Sequence, residues 1–153
     1  MEVHIENRSA VELPIGHIRD LALFVLRAEG LSESTELSVS FVGLDEITSL
    51  NTVYRGKEEP TDILSFELDD PWAEETHDGS EQLLLGDIVI NPDLAQKHAN
   101  IEEVTLEEEL WILVIHGILH LVGYDHLEAE EMQLMEDRED RYFSSWEIEL
   151  GVW

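Results

Sequence analysis

The run Leu110-Trp-Ile-Leu-Val-Ile115-His116-Gly-Ile-Leu-His120-Leu-Val-Gly123-Tyr124-Asp125-His126 decides the reading of this chain. Its first six residues are all apolar, so a helix here is buried around most of its circumference and stands at the centre of the fold. Upstream, Thr105 and Glu108 have the spacing of a capping box, which marks the helix start. Positions four apart in a helix share one face, about 6 Å along the axis, so the imidazoles of His116 and His120 can converge on one ion. A third ligand six residues later requires the helix to stop and the chain to fold back. Gly123 supplies the stop, because a residue without a Cβ enters the left-handed conformation of a helix C-cap at little cost. His126 then completes a three-histidine site.

Three neutral imidazoles leave the fourth position of tetrahedral zinc open, the arrangement of a catalytic rather than a structural site. The chain has no cysteine, which excludes disulfides and thiolate ligation and leaves imidazole and carboxylate as metal ligands. Core or capping histidines that only hydrogen-bond are the competing explanation, and three of them at these spacings with a glycine at the turn favour the metal. The pattern H-x-x-x-H-x-x-G-x-x-H matches the metzincin peptidases except at Gly117, where those enzymes place a glutamate general base. That absence counts against peptide hydrolysis.

Working outward, Val3 and Ile5 alternate with polar neighbours as in a first strand, and a helical pattern follows from about Ile15 to Glu29, stopped by Gly30. Leu37 to Val42 reads as a strand. Asp45 caps a short helix, Glu46 to Tyr54, which turns Ile47 and Leu50 to the core and delivers Arg55 into a loop. Ile63 to Leu68 and Leu83 to Ile90 are β-rich and pair as a hairpin across the acidic stretch Asp69 to Gln82. A short helix follows Asn91-Pro92 to about Asn100. The last helix, roughly Glu128 to Phe143, carries Met132, Met135 and Tyr142 inward and an acidic face outward; Trp111 also reads as core. Strands followed by a helical C-terminal half give an α+β class, and 153 residues suit one domain, 1–153, with a C-terminal extension from about 144. No basic-then-apolar leader opens the chain and no apolar run approaches the roughly 20 residues of a membrane span, so a soluble, cytoplasmic protein without membrane contact is expected.

Eight Lys and Arg stand against 36 Asp and Glu, a formal net charge of −28. Such a surface repels polyphosphates over a Debye length of about 8 Å, and taken alone it argues against nucleic acid. It also suits a protein that must stay hydrated in strong salt.

At this point the residues resemble a known family, the YbeY-like bacterial endoribonucleases, also described as ribosomal RNA maturation factors. The likeness lies in the histidine block His116 to His126, in Leu50-Asn51-x-x-Tyr54-Arg55, in Pro60-Thr61-Asp62-Ile63-Leu64-Ser65-Phe66 and in Leu85-Gly86-Asp87-Ile88, in the family's order over about half the chain. The resemblance implies one α+β domain with a mixed sheet and packed helices, one zinc ion per chain held in a cleft by His116, His120 and His126, and Arg55 as the functionally required arginine. It also implies hydrolysis of single-stranded RNA in maturing the 3′ end of small-subunit ribosomal RNA and in ribosome quality control, with ribosomal RNA and small-subunit ribosomal proteins as partners. Independently, a guanidinium such as that of Arg55 can bind two oxygens of a phosphodiester that gains charge in its transition state, whereas its plain alternative is a loop salt bridge. Asp62, Asp87 and Asp125 can orient a ligating imidazole or Arg55, or serve as turn and cap residues. Ser65 has no paired base to make it a nucleophile. His4, His17, His77 and His98 stand alone and read as surface or half-buried.

Three functions compete: a metal-dependent endoribonuclease, a zinc hydrolase of another substrate such as peptides, and a non-catalytic zinc-stabilised ribosome assembly factor. The charge favours the last two and the motif blocks the first, which a local cationic patch of zinc, Arg55 and Lys57 would permit.

Overall fold

A computed structural model describes residues 1–73, 82–124 and 128–150. The strands form where apolar and polar residues alternate. In β2 (Thr35–Phe41) alternate residues are buried, the period-two pattern of a strand with one covered face. β2 lies between β1 (Glu2–Asn7) and β4 (Leu83–Ile90), parallel to both, and β3 (Ile63–Glu67) pairs antiparallel with β4 at the sheet edge. The expected hairpin and the mixed sheet of an α+β fold are both present.

Helices cover the two faces unequally. α1 (Ile15–Ala28), α4 (Leu106–Leu121) and α5 (Ala129–Glu149) enclose the main core with Val3, Leu37, Val39, Phe41, Ile88 and Ile90. α3 (Pro92–Glu102) packs on α4. On the opposite face, α2 (Leu44–Arg55) contributes Ile47 and Leu50 to a smaller cluster with Val42, Leu64, Phe66 and Val89. α4 begins at the expected capping box: the Glu108 amide donates to Thr105 Oγ1 at 3.1 Å, and the Thr105 amide donates to Glu108 Oε1 at 3.2 Å.

Gly117 explains how closely α4 approaches the sheet. A Cβ at this position would lie 2.8 Å from Ile88 Cδ1 and 3.2 Å from Ile63 Cδ1. Only hydrogen fits between this helix and strands β3 and β4.

Three expectations need correction. Asp45 is not the N-cap of α2: the cap is Gly43, and Asp45 lies in the first turn, where its charge complements the helix dipole. The reason is that the Val42 amide still bonds to Ile90 O, so the chain leaves the sheet directly into the helix. α5 ends at Glu149 rather than near Phe143, because Trp146 extends its buried stripe and packs against Phe24 and Trp111. Met132 is 42% exposed rather than core. Glu139 of α5 contacts His116, and Trp146 contacts Trp111, so the two helices run antiparallel. Met132, seven residues before Glu139, therefore reaches the level of Gly123, past the end of α4.

Candidate metal centre and its surroundings

His116 and His120 occupy the one face of α4 that is not buried. From Leu113 to Leu121 every other residue is buried, while Ile112, His116 and His120, at four-residue spacing, are half-exposed. His116 is oriented from behind: its Nδ1 lies 2.5 Å from Glu139 Oε1. An imidazole that donates Nδ1–H to a carboxylate keeps the Nε2 lone pair for another partner, the tautomer a metal ligand needs. Two half-buried imidazoles one turn apart, one of them backed by a carboxylate, are a donor set that fits zinc.

The turn that follows is built as expected. The Tyr124 amide donates to Leu119 O at 3.0 Å and the Gly123 amide to His120 O at 3.2 Å, the paired bonds of a Schellman motif, with Gly123 at φ 112°. α4 thus ends one residue beyond His120, with Val122 as its cap, and the chain turns back. His126 and Asp125 lie just after this turn, outside the described residues, as does His77.

Arg55 is the last residue of α2 and is exposed; among the described residues its side chain has no ion-pair or hydrogen-bond partner, so the loop salt bridge is not formed there. Lys57 is likewise exposed. The loop beyond Arg55 is fixed from within the fold by Asn51, which is buried and donates through Nδ2 to Glu59 O at 2.8 Å. That loop ends at Ile63, the first residue of β3, which meets α4 at Gly117, beside His116. The end of α2 that bears Arg55 and the histidine face of α4 thus belong to opposite layers about the sheet.

The aspartates fall elsewhere. Asp62 Oδ2 lies 3.2 Å from His98 Nδ1, so this carboxylate serves α3 rather than the α4 histidines or Arg55. Asp87 pairs in register with Ser38 and Phe66; because its neighbour Ile88 points at α4, Asp87 points to the opposite face of the sheet, away from His116 and His120. Ser65 shares the α4 side of β3 with Ile63. Nor do the remaining described histidines stand alone. His17 Nδ1 lies 2.9 Å from Glu107 Oε1, and His4 Nε2 lies 3.4 Å from Glu2 and 3.8 Å from Glu36 on the open outer face of β1 and β2. That last group is largely exposed and has the character of surface ion pairing.

Glu139 was absent from the sequence reading. A signal existed: Met135, Glu139, Tyr142 and Trp146 fall at successive steps of four, three and four, so a carboxylate stands within an otherwise apolar inner stripe. A charge in that place needs a partner, and His116 is that partner.

Comparison with known proteins adds the family. Residues 4–147 match the family model described as Endoribonuclease YbeY. The chain is 38% identical to the Endoribonuclease YbeY of Oceanobacillus iheyensis, with 97% of this chain and 98% of that protein covered. It is 36% identical to the Endoribonuclease YbeY of Salinispora tropica, covering 95% and 96% respectively. Its fold is similar to the solution structure of TM1509 from Thermotoga maritima, with a TM-score of 0.69 at 27% identity over 98% of this chain and 92% of that one. By its near full-length match and its architecture, the chain belongs to the Endoribonuclease YbeY family.

Proposed function

We propose that this chain is a zinc-dependent endoribonuclease of single-stranded RNA, acting in the cytoplasm on the 3′ end of small-subunit ribosomal RNA and in ribosome quality control. The observation that carries the metal is the α4 face, where His116 and His120 lie one turn apart and Glu139 holds His116 by its Nδ1. His126 is the third ligand in this reading, supplied by the turn at Gly123. When bound, zinc supplies a Lewis acid to the phosphodiester.

The family name supports RNA as substrate, and Arg55 supports it chemically. An exposed guanidinium with no partner among the described residues is free to take two non-bridging phosphate oxygens. Peptide hydrolysis is not favoured. Position 117, where a metzincin base would stand, faces Ile88 and Ile63 in the sheet and has no room for a side chain.

Elemental analysis and RNA cleavage test the reading together. The purified protein should carry about one zinc per chain, lost in His120→Ala. It should cut single-stranded RNA in a way that chelation abolishes and that Arg55→Ala slows by about 100-fold, the scale of removing one donor from a charged transition state. Cleavage that survives both changes, or unchanged zinc in His120→Ala, would overturn it.

A further inference from the structure

A recess opens at the end of α4, just beyond the histidine turn. It is a cavity of about 460 Å³ whose walls include Trp72, Gly123, Tyr124, Glu131 and Arg138, within the size range of small-ligand sites. Two elements flank it: α5 supplies Glu131 and Arg138, seven residues apart on one face, and the segment following β3 supplies Trp72.

Trp72 is held in place although its side chain faces solvent. Its Nε1 donates to Val122 O at 2.8 Å, and its backbone amide donates to Asp70 Oδ1 at 2.9 Å. At 48% exposure, the indole presents a fixed aromatic surface to the cavity, and an aromatic so exposed and so tethered is a stacking platform rather than part of the core.

The polar groups divide in a way that selects a ligand. Glu29 is already engaged: the Tyr142 hydroxyl donates to it, and it faces Tyr124 and Arg138. Arg138 faces the Glu29 carboxylate and Tyr124 from α5. Glu131 remains, exposed on the rim, a carboxylate that only accepts hydrogen bonds. A ligand suited to these walls has a flat π-face for Trp72 and adjacent N–H donors for Glu131.

We infer that this cavity is a subsite for one unpaired nucleobase of the RNA, with guanine preferred, stacked on Trp72 and read by Glu131. Guanine carries N1–H and N2–H side by side on its Watson–Crick edge and can donate both to one carboxylate. Uracil offers one N–H between two carbonyl oxygens, which the carboxylate repels. Because Val122 and Gly123 stand two and three residues beyond His120, the base held here belongs to a nucleotide near the one cut, not to the scissile phosphate itself. The inference rests on the nuclease reading for its substrate, while its binding test does not require cleavage.

The test uses the full chain in the presence of a chelator, so that binding is read without turnover. Two RNA hexamers, one all-uridine and one with a single central guanine, are titrated while tryptophan fluorescence and anisotropy of a labelled strand are followed. The guanine strand should bind about tenfold more tightly and quench the indole emission. Trp72→Ala should weaken its binding about tenfold, Trp72→Phe should retain it, and Glu131→Gln, a surface change that leaves folding intact, should erase the preference between the two strands. Equal affinity for both hexamers in the wild type, or full affinity in Trp72→Ala, would overturn the subsite. Metal-loaded wild type is assayed separately for cleavage: cutting that is indifferent to Trp72 and Glu131 refutes this subsite alone, whereas guanine-selective binding without any cutting upholds the subsite and refutes the nuclease.

Discussion

Glu139 acts on His116 from the side away from the proposed ion, and its effect is directional. By accepting from Nδ1 at 2.5 Å it fixes both the ring and the tautomer. Glu139→Ala should therefore lower zinc affinity by about 10- to 100-fold in competition with a chromophoric chelator, with the circular dichroism spectrum unchanged. A second carboxylate on this side of the molecule behaves differently. Glu109 of α4 is 5% exposed, and its Oε2 is buried without a hydrogen-bond partner among the described residues. Burial first, then the nearby charge of Glu102, pushes its carboxyl above the usual range. A raised folded-state value means that its contribution to stability is complete below the unfolded value and is lost as pH rises through the folded one. Glu109→Gln should then stabilise the protein at pH 7 by roughly 1 kcal/mol in urea unfolding, with the gain shrinking toward pH 4. The two histidines were legible because helical period is a local property of sequence. Glu139, 23 residues away, enters through packing, and only its misplaced charge within an apolar stripe betrayed it.

At the scale of elements, α4 shows why its sequence could be read so far ahead. Its capping box, its apolar run and its terminal glycine each act within a few residues, and each appears where the spacing places it. Gly123 carries the most consequence, since its φ of 112° is a conformation that a side chain resists. Gly123→Ala should cost about 1–2 kcal/mol, read as a lower urea midpoint, and should also weaken zinc binding because the turn that returns the chain is displaced. Nothing crowds the position, so strain alone accounts for the loss. The helix ends read less well depended on tertiary contacts: the start of α2 is set by a bond from Val42 to β4, and the end of α5 by Trp146 settling on Trp111. Asp62 and Asp87 likewise could not be assigned from sequence, because strand alternation about Ile88 and the pairing with His98 are long-range outcomes. Gly117 was visible only as a missing base, whereas its structural meaning is the close approach of helix and sheet.

For the whole molecule, a net charge of −28 is a self-repulsion that solvent ions relieve. The urea midpoint should rise as sodium chloride increases from ~0.05 M to ~1 M, where the Debye length falls to about 3 Å; a midpoint that fell would mean that specific ion pairs outweigh the repulsion. The described ion pairs, such as Arg8 with Glu6 and Glu46, lie at the surface and are expected to contribute little against it. α4 packs against α1, α3 and α5 and against β3 and β4, so it touches more of the fold than any helix around it. Its amide protons should consequently exchange with solvent only when the entire domain opens, and a ligand gripped by His116 and His120 would slow that exchange across the molecule rather than in one turn. An ion held by two positions of this helix would be linked to the slowest opening event of the protein, and its residence time would become a property of the turn and rim around it.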